Sequence, residues 1–396
     1  MLYYVSKWQN YCTRDASVDL FEKQFAALRP LLDRNADVRV ITDENLLHED
    51  LRAGTVVIPY AEVMDGPVRE RLRAVSMGAR VVALSKPGIY TPIAKTGGNF
   101  GARIERVKPG EWQDALRAPH DRSRVLRVAA VQFHTAFDVE SNTARIVEWI
   151  DKAADAGARV AVFSEMALTG YTKKAEFREA LDWHALDAAI EAVASACKRR
   201  GIYAIVGAPT RDGGDIFCAA IAFDPAGNII DRYEKTYLAG EAWATPGRRL
   251  TTFGIDGATC ATIICHDERY PHLVQLRALA GAQLFFYISC ESGLDEEHKI
   301  GPYRAQLQAR AVENGVYIVH ANAPAVHGDH GADGTSNGHS RIIGPDGNLV
   351  DEAGAYDDAM VIADIDLRIA NDAGRPAALE NGPTARWLRK GTRLVR

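Results

Sequence analysis

The pattern of apolar and polar positions predicts a chain in which strands and helices alternate. Short runs rich in Val, Ile and Ala, bounded by Gly, Pro or Asp, are typical of buried strands. Longer stretches with apolar residues three and four positions apart predict amphipathic helices. Since strands joined through helices lie parallel in a sheet, the sequence indicates an α/β protein. Its length of 396 residues predicts two domains rather than one.

The first region, residues 1–108, has the pattern of a small α/β domain with a parallel sheet. The predicted helices and strands alternate along it, at 18–32 (helix), 38–42 (strand), 55–60 (strand), 66–77 (helix) and 80–84 (strand). Residues 109–124 carry Pro and charged side chains without apolar periodicity, which predicts a linker.

The second region, residues 125–370, is larger, and two predicted hairpins with turns near Gly227 and Gly347 interrupt its alternation of strands and helices. Two mixed sheets packed face to face with helices outside fit this pattern best. We expect residues 371–396 to form a loosely docked tail. The predicted strands are 126–133, 159–163, 203–207, 216–223, 228–235, 258–265, 283–289, 316–321 and 360–365. One predicted helix begins after Asp138, its N-cap. The other predicted helices are 186–200, 271–280 and 303–314.

One predicted strand, 258–265, ends in a cysteine. Pro271 opens the helix that follows and Gly281 closes it, so Cys265 lies on a tight turn between a core strand and a helix. Such a turn projects a nucleophile from the end of a sheet. A buried structural cysteine is the simpler alternative for a single Cys. The choice depends on the residues that surround it.

Two other chemically suited residues lie at or just past strand ends, Glu165 and Lys235. Active sites of layered α/β folds gather beyond such ends, so we expect both to meet Cys265. A carboxylate near a lysine can take the thiol proton, and the lysine can stabilise the oxyanion that forms when the sulfur attacks a carbonyl or nitrile carbon. This chemistry requires no metal and no cofactor.

Three segments carry a resemblance to a known family. Phe163-Ser-Glu-Met-Ala-Leu-Thr-Gly-Tyr171, Tyr233-Glu-Lys-Thr-Tyr-Leu238 and Ile263-Ile-Cys-His-Asp-Glu-Arg-Tyr-Pro271 resemble the signature blocks of the nitrilase superfamily, the carbon–nitrogen hydrolases. The resemblance extends from about Leu126 to about Ile365. It implies a four-layer α-β-β-α sandwich.

By this resemblance, Glu165 is the general base, Lys235 the oxyanion stabiliser and Cys265 the nucleophile that forms a thioester. Glu241 matches a second glutamate of the family that orients the substrate or the lysine. We also predict substrate-binding or orienting roles for His266 and Tyr171, which lie in the signature blocks, and for Glu291.

The loop that contains Glu291 falls where the family lines its substrate pocket, so this carboxylate favours a cationic or hydroxylated substrate; solvation at the surface is the alternative. Arg269 is expected in an ion pair. The cysteines at 197, 218 and 260 are expected to fill the core.

The first region has a resemblance of its own, over residues 56–84. It is similar to the glutamine-amidotransferase-like, flavodoxin-type domain, in the non-catalytic version that serves as a trimerisation domain in some beta-galactosidases. Catalytic relatives of that fold need a cysteine at a strand-to-helix turn, and the single cysteine of this region is Cys12. We therefore predict a small flavodoxin-like accessory domain, without catalytic activity, that supports assembly.

Composition limits the kinds of molecule that the protein is expected to bind and the place where it is expected to act. The net charge of −5 disfavours nucleic acid or an anionic membrane. The sequence has no apolar run near the ~20 residues of a membrane span and no signal-peptide pattern at its start. The six cysteines form no C-x-x-C pair, so a reducing cytoplasm is the expected location. We expect a homo-oligomer that acts on a small molecule.

The substrate expected from the resemblance is an amide, a carbamoyl compound or a nitrile. An amidase or N-carbamoyl-amine amidohydrolase is the leading hypothesis. A nitrilase or an acyltransferase would use the same thiol chemistry, and a glutaminase would feed ammonia to a synthetase, for which the sequence contains no P-loop. A non-catalytic assembly or binding protein is the remaining alternative, and the presence of Glu165, Lys235 and Cys265 together counts against it.

Overall fold

The computed structural model groups the chain into two compact units, Met1–Val125 and Leu126–Arg396. The residues that it describes are 2–4, 28, 39–42, 55–58, 68, 71–72, 80–83, 104–106, 125–291, 296–326, 336–370, 379 and 382–396. The proposed linker, 109–124, lies outside them, as do most of the helices predicted at 18–32 and 66–77. None of the helices described is both long and apolar enough to cross a bilayer.

The first unit contains a five-stranded sheet. Its strands are β1 (Leu2–Tyr4), β2 (Arg39–Ile41), β3 (Thr55–Ile58), β4 (Arg80–Ala83) and β5 (Ile104–Arg106). They lie in the order β2-β1-β3-β4-β5, and every neighbouring pair is parallel. This is the strand order of flavodoxin-like sheets. The sequence pattern predicted β2, β3 and β4 but missed β1 and β5.

The second unit contains two six-stranded sheets among its described residues. Its strands are β6 (Val125–Gln132), β7 (Val160–Val162), β8 (Tyr203–Asp212), β9 (Asp215–Phe223), β10 (Ile229–Glu234), β11 (Phe253–Ile255), β12 (Ala258–Ile264), β13 (Leu284–Ser289), β14 (Tyr317–Asn322), β15 (Arg341–Ile343), β16 (Leu349–Glu352) and β17 (Ala359–Asp366). The orders are β10-β9-β8-β7-β6-β17 and β11-β12-β13-β14-β15-β16. Both sheets are mixed, with a parallel centre formed by β6, β7 and β8 in one and by β12, β13 and β14 in the other.

Helices cover one face of each sheet. They are α1 (Val139–Asp155), α2 (Phe177–Ala180), α3 (Trp183–Arg200), α4 (Pro271–Leu279), α5 (Glu296–Asn314) and α6 (Ala385–Thr392). Helices α1 and α3 bury Ile150 and Val193 in one core cluster with Phe163, beside β7. Helices α4 and α5 bury Val274 and Leu307 in a second cluster on the other sheet. As predicted, Asp138 caps α1, and its side chain accepts a hydrogen bond from the Ser141 amide.

The opposite faces of the sheets meet. The amide of Glu165, just after β7, donates to the carbonyl of Ser289 at the end of β13. The buried side chain of Gln132, at the end of β6, donates to the carbonyl of Gly354 and accepts from the amide of Ser340. The second unit is therefore an α-β-β-α arrangement in which the ends of β7 and β13 lie side by side.

Residues 382–396, the described end of the predicted tail, pack against the second unit more closely than was expected. Leu388 of α6 packs against Leu276 and Leu279 of α4. Val395 forms a β-bridge with Leu250, and the Arg396 amide donates to the Leu250 carbonyl. This basic segment has few apolar residues, so its sequence gave little indication of packing. Leu388 nevertheless packs against α4, and Val395 pairs with Leu250.

Candidate active site

Cys265 lies at a strained turn. Strand β12 ends at Ile264, and Cys265 begins a 3₁₀ turn with φ +45°, a left-handed conformation that is uncommon for a residue with a side chain. Asp267 holds this turn, because its buried carboxylate accepts hydrogen bonds from the Tyr233 hydroxyl (2.8 Å) and the Tyr237 amide (2.8 Å). The turn is therefore tied to the segment that contains Lys235.

Lys235 and Glu165 lie together in the interior, and both side chains are fully buried. The Lys235 ammonium donates to Glu165 Oε1 and to Glu241 Oε1, each at 2.6 Å. Glu241 also accepts from the Tyr171 hydroxyl at 2.7 Å. The second oxygen of Glu165 accepts from the Cys290 amide at 2.9 Å. Each carboxylate is thus fixed by the lysine and by at least one further donor.

Two glycines permit this arrangement by close backbone approach. A Cβ on Gly207 of β8 would lie 2.3 Å from the Ser164 carbonyl oxygen and 2.8 Å from the Glu165 Cα. A Cβ on Gly247 would lie 2.2 Å from the Glu234 carbonyl oxygen, next to Lys235. Because backbone atoms occupy both spaces, any side chain there would displace the segments that hold the catalytic candidates.

The electrostatics separate the two glutamates. Burial raises the pKa of Glu165 and outweighs the opposing effect of Lys235. Burial also disfavours ionisation of Glu241, but the charge and hydrogen bond of Lys235 leave its pKa below the usual value. Burial lowers the pKa of Lys235 itself, yet Glu165 and the other nearby acidic groups raise it well above normal. Lysine is therefore the charged partner, and Glu165 has the higher proton affinity of the two carboxylates.

The thiol of Cys265 is neutral at rest. Burial and the charge of Glu165 raise its pKa well above the usual value, although Lys235 acts in the opposite direction. Its sulfur lies 3.8 Å from the carbonyl oxygen of Cys290, whose amide binds Glu165. A reaction at this sulfur therefore needs a base close by, and Glu165 is held by the amide of the same residue whose carbonyl contacts the sulfur, Cys290.

Cys265 opens onto a cavity of about 270 Å³. The predicted residues Tyr171, His266 and Glu291 line it, whereas Glu241 lies behind it, bound to Tyr171 and Lys235. Glu291 is 3% exposed, so the alternative of a solvated surface carboxylate is wrong. The residues that line the cavity are Tyr171, Lys173, Ala239, Cys265, His266, Glu268, Arg269, Cys290, Glu291 and Tyr303.

The structure corrects two expectations. Cys218 is buried as predicted but is not simple core filling, because its sulfur lies 3.5 Å from Glu165 Oε1. Arg269, expected in an ion pair, is instead exposed and donates to the Tyr303 hydroxyl at 3.2 Å. Sequence reasoning also missed Asp267 and Glu268. Their position in the signature block that contains Cys265 was the signal that could have identified them.

Comparison with known proteins identifies the family. The family model "Carbon-nitrogen hydrolase" matches residues 127–373. Omega-amidase NIT2 of Danio rerio is 29% identical over 264 residues, which cover 62% of this chain and 90% of that protein. "Hydrolase in agr operon" of Staphylococcus aureus is 26% identical over 252 residues, or 60% of this chain and 90% of that one.

Solved structures agree. An amidase of the nitrilase superfamily from Nesterenkonia AN1 superposes with a TM-score of 0.55 at 26% identity, over 61% of this chain and 91% of its own. A double mutant of that amidase in complex with acrylamide gives a TM-score of 0.58 at 25% identity, over 69% of this chain and 99% of its own. The family match covers more than half of the sequence, so this protein belongs to the carbon–nitrogen hydrolase family and is an enzyme that hydrolyses carbon–nitrogen bonds.

Proposed function

We propose that the protein is an amidase or N-carbamoyl-amine amidohydrolase that works through Glu165, Lys235 and Cys265. One observation carries the proposal. The ammonium of buried Lys235 binds both Glu165 and Glu241 at 2.6 Å, beside the cavity that exposes the Cys265 thiol. Two carboxylates fix the Lys235 ammonium in position, so it can stabilise the negative charge that develops on the substrate oxygen without moving.

The proposed first half-reaction forms a thioester. Glu165 takes the proton of the Cys265 thiol while the sulfur bonds to the amide carbon, and the carbonyl electron pair moves to the oxygen, which Lys235 stabilises. When that pair returns, the carbon–nitrogen bond breaks. Glu165 passes its proton to the nitrogen, and ammonia leaves.

The second half-reaction restores the enzyme. Water attacks the thioester carbon and Glu165 takes its proton. The carbon–sulfur bond then breaks, the sulfur recovers the proton from Glu165, and the carboxylic acid leaves. Glu241 and Tyr171 act as positioning residues, because Glu241 binds Lys235 and accepts from the Tyr171 hydroxyl. His266 lines the cavity beside Cys265 and would contact the substrate.

Ammonia release from a small amide tests this proposal. Butyramide is a reasonable first substrate, since a mutant of the Nesterenkonia amidase was solved in complex with it. We expect Cys265→Ala to abolish release, and Cys260→Ala, on the same strand but away from the cavity, to retain it. Mass spectrometry of Glu165→Gln should find an acyl group on Cys265. No release from any amide or carbamoyl compound, with no adduct, contradicts the proposal.

The alternatives use the same thiol and separate in the same assay. An acyltransferase would give product only when an amine or hydroxyl acceptor is added. A nitrilase would release ammonia from a nitrile faster than from the matching amide. A non-catalytic binding protein would show neither reaction, and iodoacetamide would not modify Cys265 in preference to the other cysteines.

We also propose that the first unit is a flavodoxin-like accessory domain that supports a homo-oligomer. Its parallel strand order, β2-β1-β3-β4-β5, supports the fold. Deletion of residues 1–108 should reduce the number of subunits, which light scattering measures as the molecular mass divided by the mass of the shortened chain. An unchanged number of subunits would remove the assembly role.

A further inference from the structure

A second pair of carboxylates lies in the wall of the catalytic cavity. Glu268 is 1% exposed and Glu291 is 3% exposed, and both line the cavity with Cys265. On each, Oε2 has no hydrogen-bond partner among the residues that the structure describes. A buried ionised carboxylate without a partner is costly, so two of them at one cavity require an explanation.

The charges around the pair do not neutralise it. Burial raises the pKa of Glu268 well above its usual value and that of Glu291 to about 7. The charge of Glu291 raises the pKa of Glu268 further, and the charge of Glu165 raises that of Glu291. Arg269 attracts Glu268 but is exposed, so solvent screens its charge. The buried guanidinium of Arg341 attracts both carboxylates, but its Nε donates to the His339 carbonyl. His320 lies 3.8 Å from Glu291, and burial holds its pKa well below normal, so it is uncharged.

The surroundings suit a positive ligand. The rings of Tyr171, Tyr303 and His266 line the same cavity, and aromatic faces attract cations. The Tyr287 hydroxyl connects the pair to the nucleophile, since it donates to the Cys265 carbonyl at 3.1 Å and lies 3.4 Å from Glu291 Oε1. A group held by the pair would therefore lie only a short chain away from the Cys265 sulfur.

We propose that Glu268 and Glu291 bind the cationic nitrogen of the substrate, an ammonium or guanidinium at the far end of a small amide or carbamoyl compound. This rests on the proposed function, which places the reacting carbonyl at Cys265. A cation between the two carboxylates would satisfy both free oxygens and remove the repulsion between them. The pair is thus a specificity site, distinct from the Lys235 group that acts on the amide.

Binding to a catalytically inert full-length chain tests the proposal without turnover. In Cys265→Ala, calorimetry would compare δ-aminovaleramide with hexanamide, which replaces the ammonium by a methyl group, and with the anionic glutaramate. We expect the cationic amide to bind at least about tenfold more tightly than hexanamide. Equal or tighter binding of hexanamide or glutaramate overturns the proposal.

Variants then test whether Glu268 and Glu291 cause the preference for the cationic amide. Adding Glu268→Gln or Glu291→Gln to Cys265→Ala should reduce the ratio of the two dissociation constants to within about threefold. Glu148→Gln is the matched control, because Glu148 is exposed and pairs with Lys152 on α1. If the ratio of dissociation constants is unchanged in both cavity variants, the proposal is also overturned. If a variant does not fold, the preference of Cys265→Ala alone still decides.

The same compounds separate this inference from the proposed function. Ammonia release by the wild-type chain from hexanamide and δ-aminovaleramide reports the chemistry, whereas the ratio of dissociation constants reports the cation site. Selective binding without any release would contradict the amidase and keep the cation site. Release without selective binding would do the reverse.

Discussion

Two groups of buried glutamates lie at the candidate active site, and they differ in the partner that the fold gives them; only the second group lines the cavity. Glu165 and Glu241 share the ammonium of Lys235 at 2.6 Å. Glu268 and Glu291 share a tyrosine hydroxyl, and each keeps one oxygen without a partner among the described residues. Burial is nearly complete in both groups, so the difference lies in charge compensation and not in solvent access.

This difference separates two tasks. Lys235 holds the pKa of Glu241 below normal and leaves Glu165 as the stronger base, so the first group is complete before a substrate arrives. In the second group, burial raises the pKa of both carboxyls. A group whose charge the fold compensates only in part is suited to recognition. The group around Lys235 is thus complete in the folded protein, whereas the proposed specificity site of Glu268 and Glu291 is completed when the substrate binds.

The largest effect should distinguish the glutamates of the first group. Glu165→Gln removes the proposed base and should lower kcat by about 10²–10⁴-fold. Glu241→Gln retains a hydrogen-bonding side chain beside Lys235 and should cost clearly less, since Glu241 does not take the proton. Steady-state ammonia release measures both. An equal or greater loss in Glu241→Gln would reverse the assignment of the base.

The next effect concerns stability and should have opposite signs in the two groups. Lys235→Met leaves Glu165 and Glu241 buried without their cation and should lower the free energy of unfolding by about 3–5 kcal/mol. Glu291→Gln removes a charge that the fold compensates only in part, and it should not destabilise the protein at pH 8. Urea denaturation followed by tryptophan fluorescence measures both.

The sign for Glu291 can be checked against pH. Its folded pKa, about 7, lies above the usual value of 4.5, so its stabilising contribution is complete below pH 4.5 and is lost as pH rises through 7. Glu291→Gln should therefore gain stability relative to wild type across that window. A wild-type chain that gains relative to the variant as pH rises would contradict the raised pKa.

Ligand binding should show the matching pH dependence, with a smaller effect. A cation prefers the ionised pair, so the affinity of the Cys265→Ala chain for δ-aminovaleramide should rise about tenfold between pH 6 and 8, as Glu291 ionises near pH 7. The titratable and charged groups that face Glu291 are Glu165, Glu268, Arg341, Tyr287 and uncharged His320, and the Asn337 amide also acts on it. Hexanamide should bind equally at both pH values, and a parallel rise for hexanamide would assign the titration to another group.

The sequence predicted the first group better than the second for a physical reason. Glu165 follows a buried apolar strand and Lys235 ends a predicted hairpin, and active sites of layered α/β folds gather beyond such strand ends. The motifs then supplied the pairing with Cys265. Glu268 is buried only because a 3₁₀ turn, tied by Asp267, follows Cys265, and no periodicity reveals a turn of that kind.

Other misses have the same origin in tertiary contacts. Which face of β9 meets Glu165 decides whether Cys218 is core filling or a neighbour of the site, and strand alternation alone does not say. Arg269 was expected to find a carboxylate, but the turn directs it outward to Tyr303. Strands β1 (Leu-Tyr-Tyr) and β5 (Ile-Glu-Arg) lack the adjacent Val and Ile of β2, which is equally short. Local patterns therefore predicted the layers, and long-range contacts decided the side chains.

The smallest predicted effect concerns the mouth of the cavity, where Arg269 and Lys173 place positive charge near the buried acidic pair. Both side chains are exposed, so water and salt screen them strongly. Arg269→Gln should strengthen binding of δ-aminovaleramide to the Cys265→Ala chain by only about twofold at low ionic strength, with no gain at high salt. Calorimetry at two salt concentrations measures this. A tenfold gain that persists at high salt would mean that Arg269 competes directly for Glu268, and the acidic pair would then have its cation within the fold.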